Sequence, residues 1–127
     1  MGYENNDKKH ELRVVTDSRN LFFLINRIAN ANVDFKWSLN QQIIRAVISI
    51  GSNIVEGRRK SHLTFLNQID NAMGSCDEVM YQLTLYLEPI AEIDKALKDA
   101  NAIMGQLVNL KKAVSAQSSQ PEARGDS

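Results

Sequence analysis

Ile43-Ile44-Arg45-Ala46-Val47-Ile48-Ser49-Ile50-Gly51-Ser52-Asn53-Ile54-Val55-Glu56-Gly57 is the stretch whose reading decides the fold. Leu39, Ile43, Val47, Ile50 and Ile54 recur at the three-to-four spacing of one helical face. Ser49, Ser52, Asn53 and Glu56 follow the same spacing on a second, small or polar strip. Gly51 sits among them, although glycine costs a helix interior roughly 1 kcal/mol relative to alanine. A poor helix former in that place implies either a close neighbour or a kink. The spacing therefore predicts a helix with an apolar core face and a small-residue packing seam, Asn53 and Glu56 hydrogen-bonding a neighbouring helix.

Outward from this helix the same logic repeats. A helix 1 over about 8–31 would turn in Leu12, Val15, Leu21, Phe22, Ile25, Ile28 and Ala29, with Asn30, Asn32 and Asp34 breaking it. Ser38 and Gln41 read as a capping box opening helix 2, and Gly57 as its end. Ser61 would cap helix 3, which is expected to reach Leu87. There Ile69, Met73, Cys76, Met80, Leu83 and Leu87 make a coiled-coil-like seam, and Phe65, Ala72, Val79 and Tyr86 a second strip that packs on another helix of the bundle or also feeds a subunit interface. The turn around Pro89 leads to helix 4, about 93–114. This predicts an all-α, antiparallel up-down-up-down four-helix bundle over 8–114, a flexible arm at 1–7 and a disordered polar tail at 115–127.

Composition limits function. The 127 residues, 43% apolar, suffice for a single core, and no apolar run approaches the length of a membrane span. With no signal pattern at the N-terminus, the expected location is cytoplasmic. A di-iron site would need Glu-x-x-His pairs, yet Asp7 precedes His10 and Arg59 precedes His62 at that spacing. No zinc cluster or phosphate-cradling loop is visible, so neither metal nor cofactor is expected. The lone Cys76 lies on the apolar phase and reads as core. Ser52 or Ser75 with Glu56, Asp77, Glu78 or His62 are the nearest approach to a catalytic set, and no spacing joins them; a non-enzymatic protein is expected.

Net charge is zero, which argues against simple nucleic-acid binding, but the charge is unevenly placed. From Lys8 to Lys60 ten bases face four acids, a balance of +6; from Ser61 to Leu110 two bases face seven acids, a balance of −5. That polarity suits bundle closure, or the basic side of one subunit meeting the acidic side of the next. Arg58, Arg59 and Lys60 complement the dipole at the end of helix 2, or with Arg45 offer phosphates a basic edge. Phe35, Lys36 and Trp37 could stack on bases, or cap the open end of the bundle.

Arg45-Ala46, the run Ser49-Ile50-Gly51-Ser52-Asn53-Ile54-Val55-Glu56-Gly57, and Ala72, Gly74, Ser75 and Glu78 together resemble the paired signatures of the four-helix-bundle proteins encoded in 23S rRNA intervening sequences. The accessory proteins of diversity-generating retroelements are similar. Ile44 stands where that pattern usually has Arg, and Gly51 where it has Pro. The resemblance implies a homo-oligomeric ring of five subunits. It also implies a role linked to nucleic-acid elements, in the retroelement members as partners of a reverse transcriptase and its RNA. Two functions follow: an oligomeric accessory protein touching nucleic acid or an acidic partner, or an interaction scaffold, joined through helices 3 and 4, that binds no nucleic acid.

Overall fold

A computed structural model describes residues 2–34 and 37–118, with side chains described for 8–34 and 38–117. Four helices, α1 (Gly2–Ala31), α2 (Trp37–Gly57), α3 (His62–Leu83) and α4 (Ile90–Ser118), run up, down, up and down. Each packs on its two flanking helices, and α4 closes back on α1. Between them lies one core in which Leu21, Ile25, Ile28, Ile43, Ile50, Ile54, Ile69, Leu83, Ile103, Leu107 and Leu110 have essentially no solvent contact. Burial of each such side chain contributes about 1.5–3 kcal/mol, and this drives the closure.

Helix 2 behaves as its spacing requires, with Ile43, Val47, Ile50 and Ile54 buried. It is continuous through Gly51, and the close neighbour there is a side chain: a Cβ on Gly51 would lie 2.9 Å from the Ser18 hydroxyl of α1. Ser18 is buried and donates back to the Val15 carbonyl at 3.1 Å. The polar Ser18 inside the α1 core stripe shifts its phase. Val14, Ser18, Leu21, Leu24, Ile25 and Ile28 face in, whereas Leu12, expected inside, is 64% exposed, and Val15 and Phe22 are half-buried.

The ends correct several expectations. Helix 1 begins at Gly2, ahead of the apolar pattern, so the segment read as an arm is helical. Helix 2 starts at Trp37, placing Ser38 within its first turn. Gly57 does close α2, but not through a left-handed conformation, since no glycine among the described residues has positive φ. A Cβ there would lie 2.8 Å from both Gln68 Oε1 and Phe65 Cδ1, so close packing of α3 is what requires glycine. Ser61 caps α3 as expected, its hydroxyl accepting from the Thr64 amide at 3.3 Å.

Helix 3 stops at Leu83 rather than Leu87: three successive amides, of Thr84, Leu85 and Tyr86, donate three residues back and tighten the chain into a turn. Leu87 is consequently 79% exposed and leaves the seam. Phe65, Ala72, Val79 and Tyr86 are all buried, so this second strip packs within the bundle and is not left for a subunit interface. Helix 4 continues to Ser118, four residues into the segment expected to be disordered. The Phe35-Lys36 portion of the aromatic connection, the Trp37 side chain and the chain beyond Ser118 lie outside the described residues. Among the described residues no helix is long and apolar enough to cross a membrane.

Candidate functional site

The small polar strip of α2 meets α3 in a ladder of side chains whose residue numbers sum to nearly the same value, as antiparallel packing requires. Ser75 Oγ donates to Ser49 Oγ at 2.8 Å, and Gln68 Nε2 to Glu56 Oε1 at 3.2 Å. Asn53 Nδ2 donates to the Ser49 hydroxyl at 3.0 Å and to the Ser49 carbonyl at 2.8 Å. Asn53 thus reaches α3 only through Ser49, and Glu56 makes its inter-helix bond while exposed. The seam joins α2 to α3 through Glu56 as expected, but Asn53 bonds Ser49 of its own helix instead of a neighbouring one, and Ser52 lies on the outer, solvent side. Gly74 faces open space, with nothing within 4 Å of where a Cβ would stand.

One rung further along, Arg45 of α2 faces Glu78 of α3. Both are exposed and line a depression of about 340 Å³ with Gln42, Ala46, Ser49 and Ser75. Glu78 accepts a long 3.5 Å bond from Gln82, a buried residue whose own Oε1 has no partner. Among the described residues Arg45 makes no ion pair and no hydrogen bond, and it also borders a second depression toward Asn26, Asn30 and Asn40.

The sequence grouped Arg45 with Arg58, Arg59 and Lys60, but the fold separates them. Arg45 stands three to four turns up α2, roughly 20 Å from the turn that carries the other three. The antiparallel register brings different bases to that turn. Gly51 on Ser18, and Gln106 Nε2 on Asp17 Oδ2 at 2.7 Å, align the start of α1 with the α2–α3 turn and with the end of α4. His62 Nε2, 3.0 Å from the Val114 carbonyl, ties α3 to the same level of α4. Exposed Lys8, Lys9, Arg13, Arg58, Arg59, Lys60 and Lys112 therefore share one end of the bundle, against Glu11 and Glu56. Lys111, next to Lys112, is engaged with Asp70 at 2.7 Å.

The opposite end is held by a hydrogen-bond network with no forewarning in the spacing. Asn40 Nδ2 donates to the Ala29 carbonyl at 3.3 Å and the Asn32 carbonyl at 3.1 Å, capping α1 from α2. Its Oδ1 accepts from Tyr86 Oη at 2.5 Å. Asn32 Nδ2 adds bonds to the Ile28 and Glu88 carbonyls, both at 2.8 Å. Burial pushes the Tyr86 hydroxyl up to about 12. An asparagine near a helix end is a legible cap signal; the tyrosine partner 46 residues away is not.

The serines and acids considered for catalysis do not converge. Ser75 and Glu56 belong to the α2–α3 ladder, whereas His62 turns to α4 on the other side of α3. Cys76 is fully buried and its thiol lies 3.2 Å from the Ala100 carbonyl. Burial, then the neighbouring Asp77 charge, raises it to about 12, so thiolate is negligible at neutral pH. Among the described residues no three His, Cys, Asp or Glu side chains gather as metal ligands.

A four-helix bundle stitched along α2 and α3 by small polar signature residues is the class that these features define. The chain belongs to the 23S rRNA-intervening sequence protein family, whose pattern it matches over residues 10–116. It is similar to the crystal structure of a protein of unknown function from the S23 ribosomal protein family of Bacteroides thetaiotaomicron: 25% identity, 87% of this chain and 98% of that one covered, TM-score 0.64. No curated relative matches the sequence.

Proposed function

We propose that this is a non-enzymatic, oligomeric accessory protein that holds nucleic-acid phosphates at the basic end of its bundle. The observation that carries the reading is the convergence at that end of Lys8, Lys9 and Arg13 from α1, Arg58, Arg59 and Lys60 from the turn, and Lys112 from α4. Among the described residues, seven exposed bases outnumber the acids Glu11 and Glu56 at that end and form a local positive field, even though the whole chain is neutral.

Assembly into a ring, with the five subunits implied by the family resemblance, has support from a second surface. Leu12, Phe23, Ile48 and Val55 are 42–64% exposed on α1 and α2, in a sector that also carries Arg19 over the Phe23 ring. The α3–α4 sides carry most of the acids, so copies placed side to side would match apolar and charged surface together. This surface equally favours the alternative, a scaffold that binds only protein, though not through the α3 strip, which is core.

The test is binding to single- and double-stranded RNA and DNA over a salt series, with light scattering for mass. Affinity should fall steeply as salt rises, and Arg58→Ala/Arg59→Ala/Lys60→Ala should reduce the single-strand salt slope by roughly 2. No binding at low salt, or binding indifferent to that triple substitution, would leave the scaffold reading. A monomer at all concentrations would remove the ring.

A further inference from the structure

The ladder between α2 and α3 closes at Ser49–Ser75 and at Glu56–Gln68, yet it stays open at the rung where Arg45 faces Glu78. Opposite charges on adjoining helices at one level ordinarily pair. Here they stand on the walls of a depression of about 340 Å³, floored by Ala46 and the bonded serine hydroxyls. A bare phosphate would meet Glu78, and a bare cation would meet Arg45. The walls instead suit a neutral, flat group with two adjacent acceptors on one edge and two adjacent N–H donors on the other.

Guanine alone among the four RNA bases has that pattern: O6 and N7 accept a forked guanidinium, while N1–H and N2–H donate to a carboxylate. Adenine puts a donor beside an acceptor on each edge. We propose that this depression takes an unpaired guanine, its Hoogsteen edge against Arg45 and its Watson–Crick edge against Glu78. The proposal rests on the nucleic-acid reading above and gives it a base preference. At roughly 20 Å from Arg58 along α2, the site is a few nucleotides of single strand from the basic end.

Two titrations test it: GMP against AMP, followed by backbone amide shifts, and an oligo(A) strand against the same strand with one central G. The G strand should bind about five- to a hundredfold tighter at equal salt, and GMP, not AMP, should move the amides of Ser49 and Ser75. Glu78→Gln should abolish the preference without weakening oligo(A) binding, and Arg45→Gln should abolish it too. Both residues are exposed, so the melting temperature should hold. The Arg58, Arg59, Lys60 triple variant should weaken both strands alike and keep their ratio. Equal binding of the two strands, or a preference that survives Glu78→Gln, overturns the guanine site while leaving the phosphate reading intact. If neither strand binds, the phosphate reading fails, and GMP shifts at Ser49 and Ser75 alone decide the pocket.

Discussion

The two ends of the bundle are built on opposite plans. At one, Asn40, Asn32 and Tyr86 tie the α1–α2 and α3–α4 connections together, so the polar groups are consumed internally. At the other, Arg58, Arg59, Lys60, Lys8, Lys9 and Lys112 are exposed, beside the Ser61 cap, the Lys111–Asp70 pair and the His62–Val114 contact. Side chains that satisfy one another stabilise a fold; side chains of one sign held side by side do not, and their usefulness lies in what they attract. The comparison predicts that substitutions at the first end change stability, and at the second end binding.

The largest loss of stability should follow Asn40→Ala, which removes the side chain that accepts from the Tyr86 hydroxyl and donates to the Ala29 and Asn32 carbonyls. A loss of about 2–4 kcal/mol in urea unfolding is expected; a loss below 1 would show that the lashed end is ornamental. Next comes Gly57→Ala, at about 1–3 kcal/mol, because the new methyl would press on buried Phe65 and on Gln68. Gly51→Ala sharpens the contrast within α2. Alone it sets helix propensity against the Ser18 hydroxyl; with Ser18→Ala the methyl gains room, and the double variant should exceed the sum of the singles by roughly 1 kcal/mol. Gly74→Ala, free of any neighbour, should stabilise the monomer by up to about 1 kcal/mol. Alanine at Arg58, Arg59 or Lys60 should stay within about 0.5 kcal/mol each.

Alkaline pH separates the ends a second way. Tyr86 and Cys76 are both raised, from 10.0 and 9.0 to about 12, so the folded state favours their protonated forms. Their contribution is intact below about pH 9 and is lost as pH climbs toward 12. The melting temperature should therefore drop through that window, and Tyr86→Phe should flatten part of the drop while lowering the starting value. Cys76 should resist thiol reagents at pH 8 until the chain unfolds.

Legibility followed the range of the interaction. The apolar stripe of α2 was readable because burial repeats every turn, and Ser61 because a cap bonds three residues ahead. In α1 Leu21, Ile25, Ile28 and Ala29 were placed correctly, while Leu12 was misplaced toward the start of the helix, where Ser18, a polar residue, occupies a core position that hydropathy alone assigns to solvent. The end of α3 was missed since Leu87 continues the seam numerically, while the turn that removes it arises from local i-to-i−3 bonds. At the site, Ser49, Ser52, Asn53 and Glu56 were visible as a strip, and Ser75 through the family resemblance. That Lys8, Lys9 and Lys112 would join Arg58, and that Arg45 would leave them for Glu78, depends on register, which no local pattern encodes.

The rungs between α2 and α3 have a consequence for that register. Two greasy helices slide past each other by a turn at modest cost, since one isoleucine replaces another. Ser49 opposite Ser75 and Glu56 opposite Gln68 work as a vernier: a single-turn slip would bring every notch out of alignment at once. The polar strip thereby selects one sliding position from several that oil alone would accept.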